Sequence, residues 1–159
     1  MEASLVCSIA HSHHEAKVTV VGVPNRPGTA AAVFKAVANA DINVDVIIQS
    51  VSACDKGLCD ISFTVAHGDG AEVMRALTES RLSIGFVNLV FCGTVGKLSL
   101  VGAGLNSDPS VTASFFRALA HENINIQIIS ISGSKISALV AVDRLDDAVQ
   151  AAHVAFDLD

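Results

Sequence analysis

The feature that most constrains the fold of this chain is an internal repeat. Residues 17–23 read KVTVVGV and residues 97–103 read KLSLVGA. Residues 32–44 (AVFKAVANADINV) and 114–126 (SFFRALAHENINI) match again, at a slightly wider separation because the loop at 104–108 is longer. A repeat of this length marks a structural unit that occurs more than once. The chain of 159 residues is therefore predicted to form two related units.

The first copy predicts the order of elements within a unit. Residues 18–23 form a β-rich run, and Pro27 stands where a helix begins, a position that tolerates proline. Apolar residues at helical spacing follow in the list Ala30, Val33, Phe34 and Val37, and strands are predicted at 42–51 and 58–65 with a turn at 55–57. A helix from Asp69 to about Ser80 and a strand at 84–91 complete the order βαββαβ.

The second copy repeats this order but ends before its last strand. A strand at 97–103 precedes a helix that starts at Pro109 and carries the apolar positions Val111, Phe115, Ala118 and Leu119. A strand at 136–142 and a helix opened by Asp143 follow. Residues 4–10 also read as a strand, and the first unit already has four. We therefore expect residues 4–10 to close the second sheet, with the first unit inserted into the second.

Composition excludes several classes of protein. The chain is 51% hydrophobic and 16% charged, with a net charge of −6, which favours a packed core over disorder. Nucleic-acid binding is not expected, because the chain is acidic and has no run of cationic residues to bind phosphate groups. No apolar run approaches the about 18 residues that span a bilayer, and the amino terminus lacks the features of a signal peptide. We expect a cytoplasmic protein that buries apolar surface against a partner subunit.

Signals for catalysis or metal binding are weak. The Gly102-Ala103-Gly104 segment lacks the third glycine of a dinucleotide loop, and the element order does not fit a doubly wound sheet. His11, His13 and His14 are interpreted as a solvated linker between two strands, and no metal site is predicted. The cysteines form no zinc-type spacing and are read as small apolar residues or reserve thiols. A Cys54–Cys59 disulfide is disfavoured by the compartment.

Two groups of residues could bind a zwitterion. The loop at 23–30 enters a helix, whose free backbone N–H groups suit a carboxylate. Asp45 could hold an ammonium group while Asn43 and Gln49 supply amide groups. Turn chemistry also explains each of these residues separately, so the residues alone leave both interpretations open.

Three segments carry a resemblance to a known family. They are VTVVGVPNRPGTAAAVFKAVANADINVDVIIQSVS, KGLCDISFTV and VGKLSLVGAGLNSDPSVTASFFRALAHENINIQIIS. The chain resembles the regulatory carboxy-terminal region of aspartokinase, and more closely the short β subunit of the α2β2 aspartokinases. The resemblance covers residues 4–158. It implies an α+β fold of two ferredoxin-like ACT domains with antiparallel sheets and helices on one face, with bounds of 17–92 and of 4–10 plus 97–159.

The resemblance also implies feedback control by an amino acid. In the family, threonine and lysine bind between the first ACT domain of one chain and the second ACT domain of another, so a homodimer is implied. The implied effector-binding residues are Asn25, Ala30, Asn43, Val44, Asp45 and Gln49 in the first domain, and Val111, Thr112, Asn125, Ile126, Ser132 and Gly133 in the second. The catalytic α subunit is the implied protein partner. ATP and Mg²⁺ would bind its kinase domain, and this chain alone would not transfer phosphate.

Three positions depart from the family pattern and bear on the effector. Asn25 and Gln127 stand where the family has acidic residues, and Gly133 stands where it has a glutamate. A cationic lysine needs such carboxylates more than threonine does, so we expect threonine. Two alternatives are an ACT pair that assembles the kinase without binding a ligand and a small stand-alone enzyme. The second lacks a nucleophile with partner spacing.

Overall fold

The computed structural model describes residues 5–51 and 57–158. It divides into two compact units. Unit I is His14–Gly93, and unit II is Met1–His13 together with Thr94–Asp159. Cys54 and most of the predicted turn at 55–57 lie outside the described residues.

The helices and strands alternate as the repeat predicts, with one short additional helix. In chain order they are β1 Val6–Pro24, α1 Thr29–Asn39, β2 Ile47–Val51, β3 Leu58–Ala66, α2 Gly70–Glu79, α3 Arg81–Ile84, β4 Asn88–Gly102, α4 Pro109–His121, β5 Ile128–Ile131, β6 Lys135–Ala141 and α5 Leu145–Ala155. Strands β1 and β4 are long, with 19 and 15 residues, and each contributes to both units.

The sheet of unit I has the order β2-β3-β1-β4. Strand β3 pairs antiparallel with β1, with Val18 opposite Phe63 and Val20 opposite Ile61, and it also pairs antiparallel with β2. These four side chains are buried on one face of the sheet. The apolar faces of α1 and α2 pack into the same core, so the helices cover that face.

The sheet of unit II has the order β1-β4-β6-β5. Strand β6 pairs antiparallel with β4 from Val95 opposite Ala141 to Val101 opposite Lys135, and with β5 on its other side. The core joins these strands to α4 and α5, and Val6 of β1 is buried in it. Leu5 and Ile9 pack against the same core.

The predicted linker at His11, His13 and His14 is wrong, because these residues lie inside β1. Strand pairing uses backbone groups, so exposed polar side chains do not interrupt it. Within unit II, His13 Nε2 lies 3.0 Å from Asp146 Oδ1 on α5, which gives one of these histidines a specific partner.

The start of the predicted strand at 84–91 is also wrong. Ile84 ends α3, and Gly85 terminates that helix with a φ of 87°. Ile84 is buried in the core of unit I, which accounts for its apolar character without a strand. The strand starts at Asn88 and continues without a break through the separately predicted strand at 97–103.

Smaller differences concern the ends of three elements. Strand β2 begins at Ile47 rather than residue 42, although Asp45 N–H donates to Thr64 O at 3.1 Å and Thr64 N–H donates to Val46 O at 3.0 Å. Strand β6 ends at Ala141, and a 3₁₀ turn at Val142–Arg144 precedes α5. Element ends of this kind depend on backbone hydrogen bonds that apolar patterns do not specify.

Each unit joins its first strand to its hairpin by a pair of hydroxyl groups. Thr19 Oγ1 lies 2.9 Å from Ser62 Oγ in unit I, and Ser99 Oγ lies 2.8 Å from Ser137 Oγ in unit II. The unit II pair is buried, whereas the unit I pair is partly exposed. A buried hydroxyl that loses its partner cannot form a hydrogen bond with water instead. Loss of the pair should therefore lower the free energy of unfolding more in unit II than in unit I.

We predict that Ser99→Ala lowers the free energy of unfolding by about 1–3 kcal/mol, because it leaves the buried Ser137 hydroxyl without this partner. Urea unfolding measures the change. The matched control Thr19→Ala costs less, since water can reach Ser62. The double variant Ser99→Ala with Ser137→Ala costs less than the sum of its two single variants. A strictly additive double variant contradicts the prediction.

Candidate functional site

In both units a backbone hydrogen bond joins the loop after the first strand to the turn of the hairpin. In unit I, Asn25 N–H donates to Gly57 O at 2.8 Å. In unit II, Leu105 N–H donates to Gly133 O, also at 2.8 Å. The same bond in both copies fixes the loop that leads into the first helix of each unit, and this places the helix start beside the hairpin.

The amino-terminal ends of α1 and α4 differ in how they are capped. Gly28 precedes α1 in the left-handed conformation, with a φ of 95°, and this end has neither a side-chain cap nor an acidic residue in the first turn. Asp108 caps α4, where its Oδ1 accepts hydrogen bonds from Ser110 N–H at 2.9 Å and from Ser110 Oγ at 2.7 Å. The positive end of the α1 dipole therefore lacks a carboxylate that α4 already has.

Among the predicted unit I residues, four side chains are exposed to solvent: Asn25, Asn43, Asp45 and Gln49. Ala30 lies in the first turn of α1, and Val44 precedes β2. Both are half-buried and pack against the core of unit I. Gln49 Nε2 lies 3.4 Å from the Sγ of Cys59, the buried residue on the neighbouring strand. Exposed polar side chains therefore lie just before β2, at Asn43 and Asp45, and on it, at Gln49.

The predicted unit II residues lie at the start of α4, before β5 and in the β5–β6 hairpin. Val111 is buried, Thr112 and Ile126 are half-buried, and Asn125 and Ser132 are exposed. The backbone N–H and the Oγ of Ser132 both donate to Lys135 O, at 2.8 and 3.2 Å. Each predicted set thus belongs to one unit, six residues in unit I and six in unit II.

The sequence prediction missed two residues beside these sets. Cys59 contacts Gln49, and Asn106 Oδ1 lies 3.4 Å from the point where a Gly133 Cβ would lie. Asn106 could have been found from the repeat, since the loop at 104–108 corresponds to the candidate loop at 23–30 in the first copy. The Cys59 contact depends on strand register, which the sequence pattern does not give.

The described residues contain no cluster of three or more His, Cys, Asp or Glu side chains placed to hold a metal ion. Within the same part of the chain, no helix is long and apolar enough to cross a membrane. The candidate residues offer helix-end N–H groups, amides, hydroxyls and the Asp45 carboxylate.

The ACT-domain family profile matches residues 18–80 and 98–156. The chain is thus a tandem ACT-domain protein, and the predicted fold class is confirmed. It is 46% identical over 158 residues to the aspartokinase of Mycolicibacterium smegmatis and 43% identical to that of Corynebacterium glutamicum. Each match covers 99% of this chain, which spans 38% of the length of these relatives.

Solved structures agree with the sequence comparisons. A chain in the crystal structure of aspartokinase alpha and beta subunits is 42% identical, with a TM-score of 0.88 and coverage of 96% of this chain and 99% of that one. The regulatory subunit of aspartate kinase from Thermus thermophilus, in its ligand-free form, is 34% identical with a TM-score of 0.90 and the same coverage. The chain belongs to the regulatory ACT-domain family of the aspartokinases.

We predict that the Asp108 cap stabilises unit II in a pH-dependent way. Hydrogen bonds from Ser110 hold the pKa of Asp108 below its ordinary value. A lowered folded-state pKa contributes stability above the unfolded pKa of about 4, and this is lost as the pH falls through the folded value. Asp108→Ala therefore lowers the melting temperature at pH 7, and Asp108→Asn, which keeps an acceptor oxygen, lowers it less.

The gap between the unmodified protein and Asp108→Asn should narrow as the pH is lowered from 7 to about 3. Thermal melts followed by circular dichroism measure both effects. A gap that stays constant or widens towards acid pH contradicts the role of the carboxylate charge.

Proposed function

We propose that this chain is the amino-acid-sensing regulatory part of an aspartokinase, and that it binds threonine between unit I of one copy and unit II of a second copy. Binding there inhibits aspartate phosphorylation by the catalytic polypeptide. The observation that carries the proposal is the amino-terminal end of α1, which has no side-chain cap. A backbone hydrogen bond joins the loop before this end to the hairpin, and the same unit exposes Asn43, Asp45 and Gln49 before and on β2.

The site offers separate partners for the charged groups of an amino acid. Backbone N–H groups at the start of α1 suit the carboxylate, since helix amino termini bind anions. The Asp45 carboxylate suits the ammonium group, and charge-assisted hydrogen bonds of this kind are the stronger ones. Gln49 and Asn125 carry side-chain amides that suit the effector's hydroxyl group.

The choice of threonine rests on which carboxylates the site lacks. Asn25, Gln127 and Gly133 supply no negative charge, and the proposed unit II contacts include no acidic residue. A lysine side chain in this surrounding would lose its hydration without gaining a paired carboxylate. The threonine hydroxyl requires only hydrogen-bonding groups.

Exposed apolar side chains on the outermost strand of each unit support the dimer. Ile47 and Val51 on β2 are 54% and 66% exposed, and Ile129 and Ile131 on β5 are 42% and 47% exposed. Strand edges that carry apolar side chains are normally covered. A second copy that pairs its unit II with unit I would cover both edges at once.

The mechanism is a shift between arrangements of the dimer. Threonine can favour the inhibited arrangement only by binding it more tightly than the other, and coupling of this kind is typically worth about 1–3 kcal/mol. In this proposal the catalytic polypeptide carries out phosphoryl transfer, and its site would hold ATP and Mg²⁺. The complex would act in the cytoplasm. A second candidate function is a ligand-free assembly scaffold, which the absent carboxylates at Asn25 and Gly133 favour.

We predict that threonine raises the melting temperature of the chain and that lysine alone raises it less. A ligand that binds only the folded state adds about 2.7 kcal/mol at 100 times its dissociation constant. Differential scanning calorimetry with a panel of amino acids, including alanine as a control, measures this. Stabilisation by lysine without threonine overturns the effector preference, and no stabilisation by any amino acid favours the scaffold.

We also predict that Gln49→Ala and Asn125→Ala each weaken threonine binding about 3- to 10-fold, the effect of one lost hydrogen bond. Asn39→Ala, at the opposite end of α1, is the matched control and leaves the affinity unchanged. Isothermal titration calorimetry measures the affinity, and circular dichroism checks that the fold is intact.

Mixing these two variants tests the composition of the site. If each site takes Gln49 from one copy and Asn125 from the other, a mixed dimer has one doubly altered site and one unaltered site. Full-affinity binding should therefore return at one site per mixed dimer. Failure to recover any full-affinity site after subunit exchange contradicts a site shared between copies.

A further inference from the structure

Cys59 lies on the strand of unit I that connects the candidate loop to the outermost strand. It is two residues beyond Gly57, whose carbonyl oxygen accepts the hydrogen bond from Asn25 N–H. In the register of the sheet, Cys59 lies opposite Val23 of β1 on one side and opposite Val51 of β2 on the other. Its side chain is 1% exposed, so the thiol is held in the core beside residues of the candidate site.

The contact between Gln49 and Cys59 restrains a polar side chain at the edge of the sheet. Gln49 pairs with Ile61 of β3, and side chains alternate between the two faces of a strand, so Gln49, Ile61 and Cys59 share one face. The Nε2–H group of Gln49 donates to Cys59 Sγ at 3.4 Å. A long polar side chain loses conformational entropy when a ligand immobilises it. Because this contact restrains the side chain before the ligand binds, it lowers that cost.

The same contact decides which atom of the amide is left for a ligand. A glutamine amide has a donor nitrogen and an acceptor oxygen, and the sulfur of a cysteine is a weak acceptor. Cys59 is a free cysteine. Since Gln49 Nε2 is directed at the sulfur, Oε1 is the atom that can accept from a hydroxyl group. The arrangement therefore favours a ligand whose side chain donates a hydrogen bond.

Unit II shows that the fold does not require this contact. The hydroxyl pair described for each unit aligns the two hairpins. Ile131 then stands at the position of Gln49, because each pairs with the residue just before the hairpin serine of its unit. Ser134 stands at the position of Cys59. Ile131 is 47% exposed, and its side chain has no hydrogen-bonding group, so the amide with its thiol partner is specific to unit I.

We propose that Cys59 is a positioning residue for effector recognition. Its thiol holds the Gln49 amide so that Oε1 accepts a hydrogen bond from the side-chain hydroxyl of the effector. This rests on the proposed sensing function and specifies how unit I distinguishes an amino acid with a hydroxyl group from one without it. Cys59 acts through Gln49, because its own side chain is buried.

The test compares threonine with L-2-aminobutyrate, which lacks only the hydroxyl group. Cys59→Ala should weaken threonine binding about 2- to 5-fold, because the hydrogen bond to the hydroxyl is no longer oriented, and should leave the affinity for 2-aminobutyrate unchanged. Isothermal titration calorimetry measures both affinities. Cys59→Val, which fills the space without a polar group, should show the same loss and replaces Cys59→Ala if that variant unfolds. Cys59→Ser, which keeps a hydrogen-bonding group, should retain most of the preference for threonine.

Two controls separate positioning from packing. Val65→Ala removes buried atoms from the same face of β3 near its other end, so it should lower the melting temperature and leave both affinities unchanged. In the Gln49→Ala background, Cys59→Ala should cause no further loss of threonine affinity, because the thiol acts only through the amide. Additive losses overturn the proposal, as does an equal fall in the affinities for threonine and 2-aminobutyrate.

Two further measurements distinguish this proposal from the sensing function. The side-chain amide NMR signals of Gln49, assigned by their absence in Gln49→Ala, should shift in ligand-free Cys59→Ala, and unchanged signals overturn the proposal. An unmodified chain that binds threonine and 2-aminobutyrate equally also overturns it but leaves amino-acid sensing intact. An unmodified chain that binds no amino acid contradicts the sensing function itself, and the positioning role with it.

Discussion

The two units depend on one continuous strand. Strand β1 supplies Val6 to the core of unit II and Val18, Val20 and Val23 to the core of unit I. Unit I is contiguous from His14 to Gly93, whereas unit II requires residues separated by that whole segment. Contacts distant in sequence carry a larger loop-closure cost and form more slowly. Unit I can therefore complete its core before unit II, which must bring the first residues of the chain to the last.

Apolar spacing and proline positions predicted most of this architecture because they report directly on burial. Helices α1 and α4 start within two residues of Pro27 and Pro109. The predictions that were wrong concern residues whose side chains give no information about the conformation of the backbone. His11 and His13 are polar and exposed, yet the backbone of β1 continues through them. Ile84 is buried because it packs at the end of a short helix and not because it lies in a strand.

The candidate site could be predicted as positions but not as contacts. The family resemblance names Gln49 and Gly133 as candidate site residues, and the apolar pattern predicts the strands and turn that carry them. The Gln49 contact with Cys59 and the approach of Asn106 to the Gly133 turn depend on strand register and on how a loop lies against a hairpin. Such contacts arise between segments distant in sequence, where local propensity has no influence.

Comparison of the two units distinguishes the contacts that belong to their common fold from the features that differ at the proposed site. The hydroxyl pair and the bond from loop to hairpin occur in both units, whereas the caps of α1 and α4 differ. The start of α1 therefore lacks the carboxylate that α4 has in Asp108, and in the proposed interface it is the helix end that suits the carboxylate of an effector.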